Sequence, residues 1–202
     1  MMKIIRDLWP KSRDLVSDGF DESLDYISKI IPLKILKVSS GTKCWTWTIP
    51  KKWEAIEAWI KDENGNIILN LKDNPLHVIS YSQSINKEVS KKELLEHLFS
   101  EPKCPDAVRY SYAFYNKNWG FGIEHNKIEK LQGEKFHVFI NTSFQDGELK
   151  VGEHTIKGQT NETVVFVAHL DHPFMANDDL TGVAAMIDIA NELKDKKLHF
   201  TY

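Results

Sequence analysis

Apolar residues recur at helical spacing at both ends of the chain and alternate with polar ones through much of its middle. Ile4, Ile5 and Leu8 form a short apolar face and predict a first helix. Pro10 suits the first turn of a second helix, with Gly19 as its C-terminal cap. Asp21 is placed to cap a third, in which Leu24, Ile27 and Ile30/Ile31 share a face and Pro32 stops the run. These helices read as packing elements. From about Ile35 the period falls to two. Lys43 to Ile49 alternates so that Trp45, Trp47 and Ile49 point one way, and Trp53 to Ile60 continues the pattern less cleanly. Asn64-Gly65 is a hairpin turn signal before Ile67, Ile68, Leu69 and Leu71. Leu76, Val78 and Ser80 then alternate into Tyr81, so residues 40–86 read as a small antiparallel β module. Four tryptophans lie between 45 and 59. Such a cluster can stack on sugars, but a small sheet needs that area for its own core, which predicts Trp45 and Trp47 buried.

Ser90-Lys91-Lys92-Glu93 has the capping-box pattern and opens a short helix with Leu94, Leu95, Leu98 and Phe99 on one face. Pro102 and Pro105 then punctuate the chain and mark a linker. Val108 to Phe114 alternates again and leads to the loop Trp119-Gly120-Phe121-Gly122. Phe136 to Ile140 is a strand, Asp146-Gly147 a tight turn, and Glu148 to Val151 the returning strand. Thr163 to Ala168 is nearly continuous in apolar residues, as in a central strand buried on both faces. A helix is expected from about Asp179 to Leu193, with Leu180, Val183, Ala184 and Ile187 on its apolar face. Lys197 to Tyr202 begins a further strand, and strand, loop, helix, strand is a crossover unit of an α/β sheet. The expected organisation is N-terminal helices over 1–39, a β-rich insert over 40–104, and an α/β sheet over 105–202.

Composition narrows the function classes. With 42% apolar and 27% charged residues in 202, the chain can bury a substantial core. Lys and Arg number 26 against 29 acidic residues, a formal charge of −3, and no basic run exceeds two residues, which argues against nucleic acid or an anionic membrane surface as a partner. No apolar stretch is long enough for a membrane span, and the N-terminus lacks the apolar region of a secretory signal. Cys44 and Cys104 stand sixty residues apart, too few and too distant for a disulfide scaffold, and a reducing cytoplasm is the expected location.

The chemistry concentrates between the apolar run and the last helix, in His169-Leu170-Asp171-His172-Pro173-Phe174-Met175-Ala176-Asn177-Asp178-Asp179. Open α/β sheets bind ligands outside the carboxyl ends of their strands, where this loop is expected. His169 and Asp171 are two apart and project the same way from a strand end, so Asp171 can orient the imidazole. Asp178 returns near a helix N-terminus, which favours negative charge. Imidazole plus carboxylate suits Zn²⁺, with Mn²⁺ or Co²⁺ as alternatives. The same residues also have a plainer reading, with Asp178 or Asp179 as a helix cap and His172 before Pro173 as a turn residue.

Ala168-His169-Leu170-Asp171 followed by Asn177-Asp178-Asp179-Leu180-Thr181-Gly182 resembles the zinc aminopeptidases with two co-catalytic metals. The wider chain resembles a bacterial family of aminopeptidase-like proteins associated with polysaccharide biosynthesis. The likeness is carried by Ser17-Asp18-Gly19-Phe20, Trp45 to Pro50, Leu76 to Ser82, Trp119 to Gly122 and the His169 to Gly182 segment. It implies a zinc-aminopeptidase-like mixed α/β sheet flanked by helices, with a β-rich insert, and a two-zinc site that hydrolyses a peptide or amide bond of a small-molecule substrate. His169 would ligate one metal, Asp178 would bridge both, and Asp171 would be the catalytic acidic residue behind His169. Asp179 would follow through a strained peptide, and His172 would line the site. The family's general-base Glu and remaining ligands lie on later strands, beyond Tyr202. The sequence therefore reads as an N-terminal half, expected to be inactive on its own. A glycan- or peptide-binding module and a sugar-amide deacylase are the rival functions.

Overall fold

A computed structural model describes residues 1–202 and divides them into two compact units. The first comprises Met1–Lys51 and Asp146–Tyr202, the second Lys52–Gln145. The first begins with α1 (Met2–Leu8), α2 (Asp18–Ser28) and β1 (Lys34–Ser39), then a miniature hairpin of β2 (Lys43–Cys44) and β3 (Trp47–Thr48). The second holds β4 (Lys52–Asp62), β5 (Ile67–Asn70), β6 (Ile85–Ser90), α3 (Lys91–Glu96), β7 (Leu98–Phe99), β8 (Phe121–Gly122), α4 (His125–Ile128) and β9 (Lys135–Gln145). The chain then returns to the first unit with β10 (Glu148–Glu153) and α5 (Leu180–Leu193). The fold is mixed α/β.

In the first unit the apolar positions of α1, α2 and α5 meet. Leu8, Phe20, Leu24 and Ile27 pack with Leu170, Leu180, Val183, Ala184 and Ile187 in one core, as the helical spacing requires. No helix spans Pro10 to Ser17. Gly19 does not end a helix but lies in the first turn of α2, capped by Ser17, whose Oγ accepts from the Phe20 N–H. A β-carbon on Gly19 would stand 2.2 Å from the Ser12 carbonyl oxygen, so close approach of backbone, and not a turn, explains this glycine.

β10 pairs antiparallel with β1 along its whole length, from Lys34↔Glu153 to Ser39↔Glu148. It does not return along β9 as the Asp146-Gly147 turn suggested; that turn is where the chain leaves one unit for the other. The 163–168 run also departs from expectation. It makes a single parallel bridge, Thr163↔Thr201, and Val165 and Val167 are 73% and 87% exposed. A buried central strand needs a neighbour on each edge, and here residues 164–168 have no ladder on either. Tyr202 exchanges both backbone hydrogen bonds with Ile156.

Trp45 and Trp47 are not core residues. Trp45 occupies the left-handed region (φ 49°) at the tip of the β2–β3 hairpin and is fully exposed, and Trp47 is partly exposed, while Ile49 is buried. The alternation fails because the chain reverses between Cys44 and Trp47, a pairing that leaves no strand long enough to hold one face.

The second unit is a four-stranded sheet in the order β5-β4-β9-β6, antiparallel throughout. Trp53, Ala58, Ile60, Phe136, Val138 and Ile140 form its buried side, with Leu94, Phe121 and Ile123 packed against them. β9 contributes one of the two central strands, which is why this unit runs from Lys52 to Gln145 and not over 40–104. Gly65 (φ 83°) makes the predicted β4–β5 turn, and Ser90 caps α3 by accepting from the Glu93 N–H. α3 ends at Glu96, and Leu98–Phe99 pairs parallel with β8 rather than continuing the helix. Residues 108–114 contribute one bridge, Ser80↔Tyr112, and no ladder. Lys52 and Gln145, the first and last residues of the unit, are paired across the β4–β9 ladder.

Candidate metal centre

The loop from Leu170 to Asp179 joins the 163–168 run to α5, all within the first unit. It brings four of the predicted residues around His169. The His169 Nδ1 lies 3.2 Å from Asp171 Oδ1, and its Nε2 lies 3.0 Å from Asp178 Oδ1. Asp179 Oδ2 is 3.8 Å from the same Nδ1, and the His172 ring stands edge-on with its centroid 4.8 Å away. Ligating atoms of His169, Asp171 and His172 lie within 4.8 Å of one another. His169 and Asp178 are largely exposed and open to a ligand, whereas the Asp179 side chain is completely buried. The Asp178–Asp179 peptide is cis.

Asp179 stands at the cap position of α5 but makes no capping hydrogen bond. Its carboxylate turns inward instead: Oδ2 accepts from the His172 N–H at 2.9 Å and Oδ1 from the Arg13 guanidinium at 3.1 Å. His172 does sit in the Pro173 turn, and its backbone is held at both ends, N–H to Asp179 and carbonyl to Arg13. The Phe174 N–H then donates to the Lys11 carbonyl at 3.0 Å.

Arg13 is the residue that sequence reading missed. Its side chain is 0% exposed. Nε donates to the Leu170 carbonyl (3.1 Å) and Nη1 to the Leu8 carbonyl (2.6 Å), while Nη2 reaches the carbonyls of His172 and Met175 besides Asp179. Burial lowers its pKa from the ordinary value, and the Asp179 charge works in the opposite direction. Nothing local marks Arg13. It lies in a polar, non-periodic stretch, and the groups it holds in the site are 157 to 166 residues away.

A family pattern matches residues 2–202 without interruption. The chain belongs to DUF4910, a domain of unknown function. A relative from Clostridium acetobutylicum, provisionally named a polysaccharide biosynthesis protein with aminopeptidase-like domain, is 36% identical over 199 residues, covering 98% of this chain and 46% of its own length. A crystal structure of a provisionally named peptidase from Clostridium acetobutylicum superposes with TM-score 0.88 at 36% identity, over 99% of this chain and 47% of that one. The DUF4910 chain thus spans about half the length of these relatives. Two aminopeptidases share its fold at low identity: one from Aneurinibacillus sp. strain AM-1 (TM-score 0.52, 12% identity) and a zinc aminopeptidase from Bacillus subtilis (0.55, 15%), each covering 98% of this chain and 59% of the other. The aminopeptidase-like fold that the motifs implied is therefore present.

Proposed function

We propose that this DUF4910 chain carries part of a metal-dependent, aminopeptidase-type hydrolytic centre that acts on a peptide or amide bond, with a free N-terminus as the preferred substrate end. One observation supports it above others: each ring nitrogen of His169 faces a carboxylate, Asp171 at 3.2 Å and Asp178 at 3.0 Å, on a loop of an aminopeptidase-like fold. With Nδ1–H donating to Asp171, the lone pair on Nε2 is directed toward Asp178, and an imidazole nitrogen facing a carboxylate oxygen is a donor pair that a divalent cation joins. The donor set fits zinc, with manganese or cobalt as alternatives. His169 and Asp178 would hold the metal, Asp171 would keep the imidazole in its tautomer and orientation, and His172 and Asp179 would shape the wall behind them. A zinc ion bound there supplies Lewis acidity, lowering the pKa of a coordinated water and polarising a scissile carbonyl. A catalytic zinc takes three protein ligands and hydrolysis takes a general base, so in this reading other residues of a longer protein complete the centre.

The test is hydrolysis of aminoacyl-p-nitroanilides with added Zn²⁺, Mn²⁺ or Co²⁺, by this chain and by a form extended to the relatives' length. Activity confined to the extended form and abolished by His169→Ala is expected. Activity of the short chain that survives His169→Ala would overturn the assignment. Release of a carboxylate and a free amino sugar from N-acylated sugars, with no requirement for a free amine in the substrate, would favour the deacylase instead. A non-catalytic reading draws on a separate observation, the exposed Trp45 with Trp47 beside it. Quenching of tryptophan fluorescence by oligosaccharides, lost in Trp45→Ala, is its test.

A further inference from the structure

We infer that Arg13 is a positioning residue for the metal ligands, an inference that rests on the metal reading above and extends it to a residue outside the loop. The geometry is specific to a guanidinium. Three nitrogens of one side chain serve five acceptors, of which four, the carbonyls of Leu170, His172 and Met175 and the carboxylate of Asp179, belong to the loop. Leu170 is the residue between His169 and Asp171, so the bond to its carbonyl fixes the backbone that aims both side chains. Asp179 directly follows Asp178, and its second oxygen is bonded to the His172 N–H and lies 3.8 Å from His169 Nδ1. Arg13 thereby ties down three carbonyls between His169 and Asp178 and the side chain that follows Asp178, in a loop that has no helix or strand of its own. Metal ligands must be held within about half an ångström of productive geometry, and irregular backbone supplies no such restraint itself. A lysine would keep a positive charge beside Asp179, but one ammonium cannot span acceptors on both sides of the loop.

Arg13→Lys and Arg13→Met are compared with Ile49→Val and Ile49→Ala, which bracket the loss of stability; Ile49 is buried in the same unit but outside the core that Leu170 joins. Two readouts are taken on the 202-residue chain: Co²⁺ affinity with its visible spectrum, and amide hydrogen exchange of residues 170–179 without metal. Both Arg13 variants are expected to lose about 10- to 100-fold in Co²⁺ affinity, the usual cost of removing a group that orients ligands, with an altered cobalt band. Exchange across 170–179 should rise by tenfold or more in both, while an Ile49 variant of equal melting temperature leaves both readouts near wild type. Wild-type cobalt affinity in Arg13→Lys overturns the inference whatever the exchange does. Loss of affinity in the matched Ile49 variant equal to that in Arg13→Lys also overturns it. If the wild-type chain takes no cobalt, the metal reading fails for this chain and exchange alone decides: loop exchange in Arg13→Lys above that of the matched Ile49 variant keeps the positioning role, and equality removes it.

Discussion

Gly19 shows how a single missing methyl group can set a local packing distance. On an exposed helix, glycine to alanine gains about 1 kcal/mol of propensity. Here the added carbon would meet the Ser12 carbonyl oxygen at 2.2 Å, a backbone clash that must move α2 or the segment before it. Gly19→Ala is expected to destabilise the protein by about 1–3 kcal/mol, the range of overpacking, as a lower urea midpoint. A gain in stability would show that the approach is not tight. His77 offers a second test. It is buried, with Nδ1 2.8 Å from the Gly122 carbonyl, and burial holds its pKa below the ordinary 6.5, the Gly122 bond opposing. The unfolded chain therefore takes up a proton that the folded one resists, so its contribution is complete above pH 6.5 and is lost as pH falls toward the folded value. Stability should drop as pH falls from about 7 through the unfolded value of 6.5 toward the lower folded one, and His77→Gln should flatten that part of the curve. At this scale the grouping of His169, Asp171 and Asp178 was legible because the three lie within ten residues of one another. The sequence was silent on Arg13, whose partners in the site are brought together only by folding.

At the scale of elements, legibility followed how far a pattern depends on its own residues. α5 was readable because its apolar positions meet one core at helical spacing, and the β4–β5 turn because Gly65 supplies a positive φ. The sequence could not say whether alternation in 43–49 belonged to a strand with neighbours or to a two-residue hairpin. Nor could it say that 163–168, apolar throughout, lacks ladders. Burial of an apolar residue is settled by what packs on it, not by its identity. The tryptophans give the measurable contrast. Trp53 is buried, stacks on Tyr81 and donates from Nε1 to the Ser82 carbonyl at 3.1 Å, so Trp53→Ala should cost about 3–5 kcal/mol. Trp45→Ala should fall within about 0.5 kcal/mol of wild type, as exposed substitutions do. Comparable losses in urea denaturation would contradict the exposure of Trp45.

At the scale of the whole molecule, the unladdered run leaves apolar surface open to solvent. Val165 and Val167 are exposed along backbone that offers unpaired hydrogen-bonding groups, and an apolar groove of about 780 Å³ lies beside it, between β10 and α5. An edge of this kind templates association. The 202-residue chain is expected to self-associate with rising concentration, and Val165→Lys with Val167→Lys should shift sedimentation toward monomer at a cost of no more than about 1 kcal/mol in stability. Unchanged association in the double variant would place the sticky surface elsewhere.

The pairing of Lys52 with Gln145 has a consequence for descent as well as for shape. The second unit departs and rejoins at one rung of one ladder. On the other side of the crossing, Lys51 and Asp146 form an ion pair at 3.4 Å. A segment with its two ends side by side leaves almost no gap when removed and demands almost none when acquired. The host half can therefore keep α1, α2, β1, β10 and the His169 loop in place while the guest is enlarged, exchanged or lost. Gain, exchange or loss of that unit in descent is thus a change at a single rung.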